Sequence, residues 1–174
     1  ICGIQLVGEG GEVARSCSRF PTAGTFLAGA AGLSHLFERR FPGAKMSEWD
    51  HRQSRFVDQV IGAFFLVRRS LFRDLGGFDE RFFVYQEERD FSLRALRVGW
   101  KSYYLTEARA FHKGGGVSKQ AKSDRLGYSL TSRMLYAFKH FGASAGVAVS
   151  ASSAQSCKCT ARGIKAWAPN SLPS

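Results

Sequence analysis

Cysteine is scarce and scattered in this chain: Cys2, Cys17, Cys157 and Cys159 are the only four among 174 residues. Cys157-Lys158-Cys159 has no second pair at zinc-ligand spacing, so the thiols are read as reduced and without a role. Acid is also in short supply, with 14 Asp and Glu against 25 Lys and Arg, a formal charge of +11 and a pI near 10.0. Such a balance favours anionic partners. The basic residues come singly or in pairs instead of forming a stripe packed with aromatics, which argues against nucleic acid. No apolar run approaches the length of a membrane span, no signal peptide is visible and no internal repeat is present. The expected place is cytoplasmic, with a peripheral position on the inner membrane face and its anionic lipid left open.

What is present suits a folded domain. Hydrophobic residues make up 44% of a chain long enough for one core. VIGAFFLV (60–67) is an unbroken apolar run of strand length, and it predicts a strand in the sheet interior. Ser70 caps a short helix, SLFRDL, that stops at Gly76-Gly77, because glycine accepts the left-handed backbone that ends helices. A second helix follows with Glu87, Glu88 and Asp90 in its first turn, Phe91, Ala95 and Val98 on one face, Arg94 and Arg97 near its end, and Gly99 closing it. Trp100 to Leu105 is then a strand, and Ala108 to Phe111 a further extended piece delivering His112 to a glycine-rich loop, Gly114 to Gly116. Residues 22–33 form a helix or a mobile loop. Residues 123–141 carry Leu126, Leu130, Met134 and Phe138 at steps of four and predict an amphipathic helix packed on the sheet. From 143 to 174 the chain turns Ala- and Ser-rich without a sustained period, which predicts a low-complexity, disordered tail after a domain of residues 1–142.

Carboxylates at a helix start usually only complement the helix dipole, and Asp90 and Arg94 make an ordinary pair one turn apart. The ordered series of apolar run, double glycine, FDERFF, adjacent acids and a histidine after the next strand is far rarer. Gly62-Ala63, Leu66-Val67-Arg68-Arg69, Gly76-Gly77-Phe78-Asp79-Glu80-Arg81-Phe82-Phe83, Tyr85, Glu87, Asp90, Leu93-Arg94, Gly99-Trp100, Ala108 and His112 together resemble the glycosyltransferase family two enzymes, in their rhamnosyltransferase-like branch. Upstream, Arg15-Ser16-Cys17, Arg19-Phe20-Pro21-Thr22 and Trp49-Asp50-His51 are also similar to that family's middle segment.

The resemblance implies an α/β fold: a partial GT-A, Rossmann-like mixed sheet with flanking helices. It implies sugar transfer, with inversion, from a nucleotide diphosphate sugar donor to a hydroxyl of a glycan or lipid-linked acceptor, in cell-surface polysaccharide or glycolipid synthesis. A sugar hydroxyl is a weak nucleophile, so a carboxylate must take its proton as it attacks. By position Glu88 is that base and Glu87 contacts the acceptor; the family usually has aspartate where Glu88 stands, so which of the two carries the proton stays open. Asp90, Asp79, Trp49 and Asp50 are implied as acceptor-side or supporting residues. A divalent cation, Mg or Mn, is implied for the departing diphosphate, with His112 as a ligand and Arg68 and Lys113 as phosphate contacts. Gln59 stands where the family commonly has an aromatic residue. The family's donor-binding half and Asp-x-Asp motif precede the matching segment, so the chain is expected to be the C-terminal part of such an enzyme, inactive alone. A non-catalytic module for carbohydrate or lipid headgroups, or a remnant without activity, are the alternatives.

Overall fold

The computed structural model describes residues 1–30, 33, 44, 46, 48–114 and 122–156. Its centre is a mixed sheet in the order β1, β5, β3. Strand β1 (Cys2–Val7) runs parallel to β5 (Ser102–Phe111), and β3 (Arg55–Val57) pairs with β5 antiparallel. Parallel strands need a long crossover, and residues 8–101 supply it. Cys17–Ser18 (β2) and Gln59–Val60 (β4) form a separate antiparallel ladder. The ladder lies so near β1 that a Cβ on Gly3 would come within 2.6 Å of Val60. Helix α1 spans Ala23–Ala30, so most of the 22–33 stretch is helix, and residues 31 and 32 lie outside the described residues. This α/β arrangement is the mixed sheet with flanking helices expected of a partial GT-A fold.

Two expected strands differ. The 60–67 run is not a buried strand: only Val60 is in a ladder, the chain turns at residues 62–63, and Leu66 returns to a single bridge with Cys2. Gly62 and Ala63 give that turn no bulk to bury, and Leu66 is 60% exposed. Beyond it, the two extended pieces expected over 100–111 are one strand. Residues 106–108 of β5 have no partner in β1, and Ser54 holds the bulge by donating to Glu107 and meeting Thr106 at 3.0 Å.

Helix α2 (Arg69–Asp74) starts without a side-chain cap from Ser70. It ends as expected at Gly76 and Gly77, at φ of 71° and 75°, whose N–H groups bond to the Arg73 and Phe72 carbonyls. Helix α3 (Glu87–Arg97) buries Phe91 and Ala95 fully, while Val98 is its exposed C-cap and not part of the apolar face. Phe91 sits with Phe65, Phe72 and Phe78, its ring centroid 5.4–5.9 Å from theirs, and Leu71 completes this cluster.

Helix α4 (Lys122–Phe141) buries Ser132, Tyr136 and Ala137; Leu126 and Phe138 of the expected apolar face are exposed. Among the described residues its main packing is on α5 and α1 rather than on the sheet. The expected tail begins instead with helix α5 (Ala143–Ser156), and residues 157–174, with Cys157 and Cys159, lie outside the described residues.

The turn of α4 was chosen by charge. Asp90 is fully buried and receives Arg94 Nε at 2.8 Å, Lys139 Nζ at 2.6 Å and His140 Nε2 at 2.8 Å. Lys139 also reaches Asp79 at 2.7 Å, which Arg81 holds at 2.6 Å. The two remaining Arg94 nitrogens donate to the Leu75 and Gly77 carbonyls, each at 2.7 Å. One cluster thus joins the end of α2, the start of α3 and the end of α4. Burial alone would raise the Asp90 pKa, yet the His140, Lys139 and Arg94 bonds reverse this and hold it low; Arg81, then Lys139, hold Asp79 well below the carboxylate range.

Removing a partner from a buried charge cluster strands the others, so Asp90→Ala should cost about 3–5 kcal/mol by urea unfolding. Because both carboxyls have depressed folded pKa values, their contribution is complete above about pH 3.9 and is lost as pH falls through the folded values. Acid melts of Asp79→Asn should therefore change less with pH below that point than those of the wild type.

Candidate active site

A cleft of about 550 Å³ opens where residues 62–67 face Phe78, Glu87 and Glu88. The failed strand is its wall: the turn at Gly62 leaves room for the acids, and Phe64, Phe65, Leu66 and Val67 give it apolar sides. Such a cleft, mostly apolar with a few convergent polar groups, is the usual form of a small-molecule site.

The acids are delivered by a strained turn. Tyr85 and Gln86 both adopt the left-handed backbone, at φ of 68° and 71°, immediately before α3. Each such residue costs about 1–3 kcal/mol and persists only where its surroundings over-determine it. Here the Gln86 carbonyl accepts from Asp90 N–H at 2.7 Å, its side-chain oxygen accepts from Arg89 at 2.6 Å, and Ser132 donates to the Val84 carbonyl at 2.7 Å. Arg89 in turn donates to Ser18, which hydrogen-bonds Gln59, so the unusual Gln59 belongs to a polar chain behind the acids.

Glu88 Oε1 accepts from Gly62 N–H at 3.4 Å. Oε2 of Glu88 and Oε2 of Glu87 are buried with no hydrogen-bond partner among the described residues. Burial, and secondly repulsion from Glu88, push the Glu87 pKa up. A buried acceptor without a partner is costly, and a ligand hydroxyl is a group that would relieve it.

The other expected residues stand elsewhere. Asp90 and Asp79 are consumed by the charge cluster described above. Trp49 stacks on His51 at 4.2 Å and meets Tyr104 edge-on at 5.3 Å, while the His51 carbonyl accepts from Gln5 and Tyr104, each at 3.0 Å. Asp50 is exposed and accepts from the Arg52 N–H at 3.0 Å. Trp49 and His51 pack in the core beside β5, Asp50 stays at the surface, and none of the three lines the cleft. Arg68 lies over the Trp100 ring, and Lys113 pairs with Glu9 at 3.0 Å.

His112 follows β5 and donates its backbone N–H to the Val7 carbonyl at 2.9 Å. Among the described residues no three His, Cys, Asp or Glu side chains come together as a metal site. The donor set around His112 therefore does not fit a divalent cation by itself, and Gly115 and Gly116 of the glycine-rich loop lie outside the described residues. Cys17 is buried, with its thiol pushed up to about 12, so it is inert. Sequence reasoning missed Arg89, Lys139 and His140, which gave no local signal; the Tyr85–Gln86 turn was hidden because neither residue is glycine.

A family model described as glycosyl transferase family group 2 matches residues 34–168. The N-acetylglucosaminyl-diphospho-decaprenol L-rhamnosyltransferase of Mycobacterium tuberculosis (strain CDC 1551 / Oshkosh) is 35% identical over 89 residues, 51% of this chain and 29% of that protein. Rhamnosyltransferase WbbL of Escherichia coli (strain K12) is 32% identical over 80 residues, 46% of this chain and 30% of that protein. The match thus spans about three tenths of the length of these curated relatives. No solved structure matches significantly.

The raised Glu87 carboxyl has a checkable sign. In a side-chain ¹³C titration Glu87 should lose its proton above 4.5, its ordinary value, and Glu88→Gln should move that midpoint down by removing the neighbouring charge. Because the folded form favours protonated Glu87, this contribution is lost as pH rises through the folded pKa, and Glu87→Gln should melt above the wild type at pH 7.

Proposed function

This chain belongs to glycosyl transferase family group 2, and from that premise we propose that its cleft is the acceptor and base site of an inverting sugar transferase. The observation that carries the proposal is the pair of adjacent carboxylates at the start of α3, each with a buried, unpartnered oxygen, lining an apolar cleft. Glu88 is the base: the Gly62 amide fixes one of its oxygens and leaves the other for the acceptor proton. Glu87, whose proton is retained more strongly, donates to or orients a second acceptor hydroxyl. As the acceptor oxygen bonds to the anomeric carbon, its proton passes to Glu88 and the bond to the nucleotide diphosphate breaks on the opposite face. Residues 1–142 supply this acceptor side.

The donor is a nucleotide diphosphate sugar, and rhamnose is the sugar favoured by the printed names of both relatives. The acceptor class is a lipid-linked diphospho-sugar, on the name of the mycobacterial relative. A divalent cation would neutralise the departing diphosphate, but His112, which follows β5, could be a ligand only with donors that the described residues do not bring to it.

The test is made in an active enzyme that carries this segment, with a nucleotide-activated rhamnose and a lipid diphospho-N-acetylglucosamine acceptor. Glu88→Gln keeps size and hydrogen bonding but cannot accept the proton, so kcat should fall by about 10²–10⁴ with donor KM little changed. If Glu87→Gln abolishes turnover while Glu88→Gln remains near wild type, the two roles exchange. If neither matters, the acids only cap the helix, and a binding module without chemistry becomes the better account.

A further inference from the structure

The far end of α3 carries a surface that the transfer reaction does not use. A hollow of about 250 Å³ opens there between Phe56, Leu96, Trp100 and Lys101, with Asp58 in its wall. Phe56 is 63% exposed, Val98 58%, Leu96 42% and Trp100 39%. Large apolar side chains exposed side by side mark a contact surface more often than lone ones do.

Cations rim this surface. The Arg68 guanidinium lies 5.7 Å over the Trp100 ring, and the Lys101 ammonium 5.5 Å over the Phe56 ring. Arg97, between Leu96 and Val98, is exposed as well. None of the three has an ion pair among the described residues. The one acid in the hollow, Asp58, already accepts from the Phe20 N–H at 2.9 Å.

We infer that this face docks on an anionic bilayer, with Trp100, Phe56 and Leu96 at headgroup depth and Arg68, Arg97 and Lys101 on lipid phosphates. Aromatic rings settle at the boundary between headgroups and acyl chains, and long basic side chains extend from apolar surface to the charged layer. Each cation near an anionic leaflet adds attraction, and here the excess of unpaired positive charge surrounds the exposed rings. No described helix is long and apolar enough to cross a membrane, and the proposed contact is one of a surface with headgroups. Glu87 opens the opposite end of the 11-residue α3, roughly 16 Å away at 1.5 Å per residue.

The inference goes beyond the transfer reaction and is tested without it, by co-sedimenting the chain with phosphatidylcholine vesicles that contain or lack phosphatidylglycerol. Binding is expected only with phosphatidylglycerol. The double variant Arg68→Glu, Lys101→Glu, at two exposed positions, should bind those vesicles at least about tenfold more weakly. Phe56→Ser should lose several-fold at the same ionic strength, and the control double variant Arg52→Glu, Arg109→Glu should match the wild type. Circular dichroism melts select folded variants for the comparison. Equal loss from the control pair would assign binding to net charge alone and overturn the inference. Wild-type binding by the Arg68, Lys101 variant would overturn it too, as would absent vesicle binding alongside retention on an acidic protein or on RNA.

Discussion

A carboxylate with no exposure to water sets the geometry of this protein. Burying Asp90 is unfavourable by itself, and three donors offset the cost: Arg94 from its own helix, and Lys139 and His140 from α4. The donors are shared, because Arg94 also holds the carbonyls at the end of α2 and Lys139 also holds Asp79. The end of α2, the start of α3 and the end of α4 cannot shift independently without stranding a charge. Glu87 and Glu88 lie within one turn of Asp90, so the cluster that anchors Asp90 also fixes the helix start on which they stand.

The contrast between the acids follows from what surrounds each. Asp90 meets three donors and its proton is held less tightly, whereas Glu87 meets burial and a like charge and its proton is held more tightly. Neighbouring carboxyls pushed in opposite directions divide structural from chemical duty. The left-handed Tyr85 and Gln86 turn belongs to the same division: strain is tolerated where the polar chain through Arg89, Ser18 and Gln59 holds the backbone in place.

Local signals were legible in the sequence and long-range ones were not. Helix α3 announced itself through acids at its start, arginines at its end and Gly99 after it, and the stop at Gly76-Gly77 needed only glycine's freedom at positive φ. The family resemblance rested on these same local elements, and the family match agrees with it. The 60–67 run was misread because an apolar octet has the same composition whether it enters a sheet or walls a cleft. Steps of four along α4 selected Leu126 and Phe138, yet the buried face is the one carrying Ser132, Tyr136 and His140, because Asp90 lies opposite it. Trp49, beside His51, belongs to the core around Tyr104 and Asp50 to the surface next to it, positions fixed by tertiary contacts that spacing cannot express.

The central claim is that the opening between Gly62 and the Glu87–Glu88 pair receives the acceptor. Amide chemical-shift mapping of the chain titrated with a soluble diphospho-N-acetylglucosamine analogue tests it directly. The account predicts saturable shifts centred on Gly62, Ala63, Phe78, Glu87 and Glu88, lost in Glu87→Gln combined with Glu88→Gln. Saturable shifts confined to Trp49, Asp50 and the residues around His112, with the cleft amides unmoved, would contradict it.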